Sequence, residues 1–355
     1  MQGIYNIKYL RGLLLKLTRI YRIFYKKSPN TDRTTNLGLY NEIINITPKL
    51  SADNRSKNLF LNWQKGARKK LIELMGVQIN YNIPNYRVIN ETRISRDLVR
   101  CLICFDSIDN VKIYAYLFRH LGKKKVPGII IIPNSEGNIE QTAGLSSGID
   151  NKNAFYFAKK GFNVITTENR GSGRLSSTPW ERILANSISI GKSYQGLILQ
   201  DHILALNILY SLDETDKENI FSAGVSLGAE QSIYLAALDK RIKAIVTFGW
   251  LSDKEALITG HQHSWAVPNI FTYFDISDIC ALIAPRGALY SNGRKEDRNT
   301  IDSFSSKRAL KTLEKINQSY KLLGKSVIYK EHPRGHVFDN FLAYGFLKKI
   351  KDTNN

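Results

Sequence analysis

Cysteine is nearly absent: the 355-residue chain has three, Cys101, Cys104 and Cys280. An odd, sparse set cannot staple a fold, so the apolar core must carry stability, and a reducing, cytoplasmic setting is expected. Cys101 and Cys104 form a CxxC inside the strand-like run LVRCLICF, with no second ligand pair, which argues against zinc or redox chemistry. No apolar run is long enough to span a bilayer. Internal repeats and low-complexity tracts are lacking. Acid is missing from the start: Asp32 is the first acidic residue, after Lys8, Arg11, Lys16, Arg19, Arg22, Lys26 and Lys27. A nucleic-acid module is not evident, because the basic residues are not interleaved with aromatics that could stack on bases.

What is present is a net charge of +20 on an otherwise ordinary globular composition, 43% hydrophobic and 23% charged. The length allows one large core, alone or with a lesser lobe. Residues 7–26 read as an amphipathic helix: Leu10, Leu13, Leu14, Leu17, Tyr21 and Phe24 share one face, and Lys8, Arg11, Arg19, Arg22 and Lys26 the other. Lys16 and Arg19 interrupt the apolar segment a secretory signal needs. The pattern fits a helix lying in an anionic membrane interface, or packing on the protein's own core or a second subunit. A peripheral seat at the inner face of a membrane is therefore expected. Residues 1–30 are assigned to this basic helix, 31–95 to a helical lead-in packing on the core, and 96–355 to the main domain.

From Pro127 the rhythm is strand, loop, helix. GIIIIP, FNVITT, IFSAG, IKAIVTF, GALYSNG and SVIYKEH read as strands, separated by helical patterns such as YQGLILQDHILALNILYSL. Leu98–Phe105 and Val111–Phe118 read as a hairpin joined by DSIDN. The expectation is an α/β fold with about eight strands, mostly parallel, flanked by helices, behind an N-terminal helical extension.

In GVSLG, Ser226 stands between Gly224 and Gly228 where a strand becomes a helix. Such a turn lifts a serine hydroxyl above the sheet edge, and the glycines remove side chains that would collide. A serine is a poor nucleophile until a base takes its proton and an acid holds that base in the correct tautomer. In this architecture the order is serine, acid, histidine, each after a strand. Glu296 and Asp297 follow one strand, and Glu296 lies three residues after Gly293. His336 follows the next strand on a Gly-preceded loop, and His332 sits at the strand end as the rival base. The backbone N–H groups of Leu227 and Ser135 are the candidate oxyanion donors.

Several segments together resemble the α/β-hydrolases of the acetyl xylan esterase and dienelactone hydrolase-like group, from about Trp63 to the C-terminus. They are NWQKGARKKLIELMG, AKKGFNVITTENRGSGR, GVSLGAEQSIYLAALDKRIKAIV, YFDISDICALIAPRGALYSNG and RGHVF. The resemblance implies an α/β-hydrolase fold with Ser226 as nucleophile, Glu296 as acid and His336 as base. It further implies a serine esterase acting on an O-acetyl group of a sugar or glycan through an acyl-enzyme, without metal or cofactor. The same fold serves peptidases, lactone hydrolases and acyltransferases, and a membrane-associated non-catalytic protein is a further alternative. Departures from the group's pattern are Glu168 for Asp, Pro133-Asn134 for His-Gly, and Arg286-Gly287 for Arg-Pro. Outside the motifs, His261, His263 and Trp265 are expected near a cap over the pocket. The loop from Ser172 to Lys192, with Trp180, reads as a second lid, and Glu230 as helix surface or a hydrogen-bonding neighbour of the elbow.

Overall fold

In a computed structural model, residues 37–53, 55–122, 124–260, 267–296 and 304–352 are described, and the chain divides into Met1–Ile46 and Thr47–Asn355. The first unit contributes the helix Leu37–Asn45; the amphipathic segment 7–26 lies outside the described residues. No helix among the described residues is long and apolar enough to cross a membrane.

The β-branched runs become strands because a sheet covered on both faces has room only for apolar side chains. Among the described residues nine strands form one sheet: β1 Tyr86–Arg93, β2 Leu98–Asp106, β3 Lys112–His120, β4 Val126–Ile132, β5 Asn163–Thr167, β6 Thr215–Val225, β7 Ile242–Phe248, β8 Gly287–Ser291 and β9 Ile328–Tyr329. Their order is β1-β2-β3-β5-β4-β6-β7-β8-β9. The first three run antiparallel, β3 pairs antiparallel with β5, and all later pairings are parallel. Ile129 to Ile132 in β4 are fully buried, each worth roughly 1.5–3 kcal/mol relative to exposure.

The strand count exceeds the expected eight by β1, which lies inside the stretch 31–95 read as a helical lead-in. Seven of its eight residues are exposed, so it presents no buried face for a period-two pattern to reveal. The helix Lys57–Met75 forms where the sequence places it, and Gly76 ends it in the left-handed region, φ 67°. It docks through Gln64, whose Nε2 donates to the carbonyls of Ala281 and Ala284.

Helices cover both faces. The helices Asn153–Lys159 and Asn340–Asp352 bury Phe157, Ala343, Phe346 and Leu347 against side chains of β4 to β8. On the opposite side lie Tyr194–Ser211 and Leu227–Leu238. Every residue of Leu227–Leu238 is buried, so its apolar and small residues run all round, interrupted by Glu230 and Gln231, with no polar stripe.

The loop after β5 is fastened by charge. Arg170 donates from Nε to Asp201 Oδ2 at 2.8 Å and from Nη1 to Asp109 Oδ2 at 2.5 Å, which ties the β2–β3 hairpin to the helix Tyr194–Ser211. Two residues earlier, Glu168 is 1% exposed. Its Oε2 accepts the Arg174 N–H at 3.2 Å and its Oε1 the Ile139 N–H at 3.4 Å, which joins two loops at the C-terminal edge of the sheet. Burial pushes this carboxyl up to about 8, against the pull of those two amides. A carboxyl raised in the folded state contributes stability below its unfolded pKa and loses it as pH rises through the folded value. Glutamine copies the neutral form, so Glu168→Gln should reduce the fall in thermal midpoint between about pH 5 and about pH 8. Equal falls in both proteins, measured by circular dichroism melts, would contradict the assignment.

Candidate active site

The register of the parallel strands brings the candidate residues to one edge. Ile132 of β4 is level with Gly224 of β6, Val225 with Phe248 of β7, and Phe248 with Ser291 of β8. The residues that follow are Pro133, Ser226, Gly249 and Asn292, so the oxyanion loop, the elbow and the acid loop leave the sheet side by side. Adjacent strands sit about 4.8 Å apart, which sets the scale of the gap between these loops.

Ser226 occupies φ 57°, ψ −123°, a region an L-residue enters at a cost of about 1–3 kcal/mol. Its backbone is held there by hydrogen bonds: the N–H donates to Phe248 O at 2.9 Å, and the carbonyl accepts from Ala229 N–H at 2.9 Å and Glu230 N–H at 3.1 Å. The flanking glycines are required by contact. A Cβ on Gly224 would lie 2.3 Å from the carbonyl carbon of Gly228, and one on Gly228 would lie 2.1 Å from Ile132 O. The elbow helix thus starts directly against the end of β4. Leu227 is its first residue, and its N–H is one of the amides a helix leaves without an internal partner.

Glu296 and His336 meet on the neighbouring loops. Glu296 is 2% exposed; its Oε1 accepts the Gly293 N–H at 2.6 Å, and its Oε2 lies 3.3 Å from His336 Nδ1. The three-residue offset from Gly293 therefore closes a small turn that aims the carboxylate at the imidazole. The His336 ring stacks on Phe304, with centroids 5.7 Å apart. Its other side rests on Gly249, where a Cβ would come within 2.7 Å of Nδ1. Gly249, at φ 58°, makes room for the ring. Its place right after the β7 run is the sequence signal for this role, and it lies outside the serine, acid and histidine motifs.

His332 is placed differently. It is 2% exposed, its ring meets Phe248 edge-on at 5.7 Å, and neither ring nitrogen has a hydrogen-bond partner among the described residues. Burial pushes its pKa down. Its main chain instead laces the acid loop, donating to Asn292 O and accepting from Arg294 N–H. Asp297, His261, His263 and Trp265 lie outside the described residues.

The loop Pro133–Gly137 spends two of its four amides internally and a third on Asp150. Asn134 N–H donates to Asp150 Oδ1 at 3.2 Å, Glu136 N–H to Asn134 Oδ1 at 2.8 Å, and Gly137 N–H to Asn134 O at 3.2 Å. Ser135 N–H donates to no described residue. It is the amide of this loop left for a ligand, as is Leu227 N–H on the facing helix. The Ser226 hydroxyl likewise makes no hydrogen bond to a described residue.

Over Leu227, the helix Trp180–Ser189 packs Trp180, Ile183 and Leu184 against Tyr194 and Ile198. The loop read as a lid therefore rests on the elbow itself. Glu230 departs from the surface reading: it is fully buried, and Gln195 Nε2 approaches its Oε2 at 3.5 Å. The helix Leu227–Leu238 has no solvent face on which to place it. Arg286, which precedes the departing Gly287, is a half-buried clamp that donates to the carbonyls of Asp239, Ile242 and Ala236. Cys101 and Cys104 are free, buried and three residues apart in β2, so they point to opposite faces.

A model of the Abhydrolase family matches residues 35–311, which takes in Ser226 and Glu296 and stops short of His336. The Bacillus subtilis (strain 168) protein YtaP, named as a hydrolase, is 29% identical over 131 residues, 36% of this chain and 44% of that one. The matched segment is thus under half the length of that relative. A Bacteroides fragilis NCTC 9343 protein named for acetyl xylan esterase activity superposes with a TM-score of 0.69 at 20% identity, covering 91% of each chain. A glucuronoyl esterase from Teredinibacter turnerae T7901 reaches 0.63 at 14% identity over 93% of this chain and 94% of that one. Acetyl Xylan Esterase 1 from Thermoanaerobacterium sp. JW/SL YS485 reaches 0.56 at 16% identity over 81% of this chain and 93% of that one. These structural likenesses establish the α/β-hydrolase fold. The family match spans well over half of the sequence, and the chain belongs to the Abhydrolase family.

Proposed function

We propose that this protein is a serine esterase that cleaves a carboxylic ester through an acyl-enzyme, with an O-acetyl group on a sugar or glycan as its substrate class. The observation that carries the proposal is Ser226 at φ 57° on a strand-to-helix elbow, on the same sheet edge as the His336–Glu296 pair. Strain of this kind is tolerated where it aims a reactive atom. The neighbours named for acetyl xylan and glucuronoyl ester cleavage support sugar esters over peptides.

In the proposed reaction a turn of the Ser226 side chain brings its hydroxyl to His336 Nε2. Catalytic contacts of this sort often tighten only once substrate is bound. Ser226 Oγ attacks the acyl carbon while His336 takes its proton, and Glu296 keeps Nδ1 protonated and steadies the imidazolium. The developing oxyanion is met by Leu227 N–H and Ser135 N–H. Collapse expels the alcohol, which receives the proton from His336. A water molecule, deprotonated in turn by His336, releases the acid and restores the serine.

Ser226→Ala should lower kcat on aryl acetates and acetylated sugars by about six orders of magnitude and abolish labelling by a fluorophosphonate. Retention of either would overturn the proposal. Glu296→Gln should cost about 10⁴-fold, whereas Asp297→Ala should leave the rate within about twofold; the reverse pattern would move the acid to Asp297.

The acid-free segment 7–26 supports attachment to an anionic membrane surface, with its Leu and aromatic face inserted and its Lys and Arg face at the headgroups. Removing residues 1–27 should abolish co-sedimentation with phosphatidylserine-containing vesicles. Unchanged co-sedimentation would reject the attachment.

A further inference from the structure

We infer that Asp150 is the positioning residue of the oxyanion loop: its buried carboxylate grips Asn134 and so turns Ser135 N–H toward the acyl oxygen. The inference rests on the esterase reading above and adds a residue that no motif contains.

Asp150 is fully buried three residues before the start of the helix Asn153–Lys159, and its carbonyl accepts Asn153 N–H at 3.1 Å. That anchors its main chain independently of the oxyanion loop. Its side chain crosses to that loop, where Oδ1 accepts Asn134 N–H at 3.2 Å. Oδ2 and the Asn134 Nδ2 are both buried without a hydrogen-bond partner among the described residues. They converge on one point: a Cβ on Gly137 would lie 2.1 Å from Asp150 Oδ2 and 2.6 Å from Asn134 Nδ2. Gly137 is therefore the residue that lets carboxylate and carboxamide share the space, and a small movement would join them. The carboxamide lies close enough to pull the carboxyl's pKa down, and burial outweighs that pull and raises it to about 7.

The other amides of the loop are accounted for. Asn134 Oδ1 takes Glu136 N–H, Asn134 O takes Gly137 N–H, and Asn169 Nδ2 donates to Pro133 O at 3.0 Å. Asn134 is thus the hub of the loop, and the Asp150 carboxyl is the group that holds it. The peptide from Asn134 to Ser135 carries the amide left for substrate, so fixing Asn134 fixes the direction of Ser135 N–H. A half-satisfied buried carboxyl is a standing cost to stability, tolerated where a site has use for it.

The test is Asp150→Asn, which keeps the size of the side chain and replaces an acceptor with a donor facing Asn134 Nδ2. With p-nitrophenyl acetate, kcat should fall about a hundredfold with KM within about twofold, as for loss of an oxyanion donor. A second arm distinguishes positioning from general structural support. Ser135→Pro removes the N–H itself, and in that background Asp150→Asn should cost less than about threefold further, because the donor it aims is gone. A folded Asp150→Asn with wild-type kcat, or a full hundredfold loss repeated in the Ser135→Pro background, would overturn the inference. If Asp150→Asn does not fold, Gly137→Ala displaces the carboxylate without removing a polar atom, and wild-type kcat in that variant would overturn it equally. A wild-type protein that hydrolyses no ester and takes no fluorophosphonate would refute the esterase reading instead, so the two failures are separable.

Discussion

The structure turns on the contact between the elbow helix and the end of β4, where Gly228 sits so close to Ile132 that a methyl group would fall 2.1 Å from its carbonyl oxygen. That approach sets the start of the helix Leu227–Leu238, and with it the turn that forces Ser226 to φ 57°. The strain at one residue is offset by three main-chain hydrogen bonds and by a helix buried along its whole length. The same contact places Leu227 N–H opposite the loop that follows β4. One steric constraint therefore locates Ser226, the Leu227 N–H and the loop that carries Ser135.

The rest follows from parallel strands ending level. Each loop at this edge needs a local device to aim its side chain. For Glu296 it is the turn from Gly293; for His336 it is the space between Gly249 and Phe304. Such devices are short, because the parallel register has already brought the loops side by side.

These points divide what the sequence reveals from what it hides. The elbow and the run of parallel strands were legible because each depends on residues adjacent in the chain, whereas Ser226, Glu296 and His336 stood out only as candidates, each by its place after a strand-like run. The edge strand β1 was not, since an exposed strand has no apolar alternation to display. Of the two readings of Glu230, the surface one fails and the hydrogen-bonding one fits, because a helix buried all round removes the amphipathic stripe by which exposure is judged. Asp150 and Glu168 gave no sign of burial, because their partners lie in other loops: Asn134 for the first, Ile139 and Arg174 for the second. Long-range pairing of polar groups has no period, so only coordinates expose it. In sequence a preceding glycine favoured His336 over His332; in space the two differ as a ring 3.3 Å from Glu296 and a ring set against Phe248.

The central claim is that Ser226 Oγ, aimed by a strained elbow, faces two amides prepared for an oxyanion. The most direct measurement is a crystal structure of the protein treated with a fluorophosphonate. The account predicts phosphorus bonded to Ser226 Oγ, with the phosphoryl oxygen about 2.7–3.1 Å from both Leu227 N–H and Ser135 N–H. Phosphorus on another residue, or a phosphoryl oxygen turned away from both amides, would contradict it.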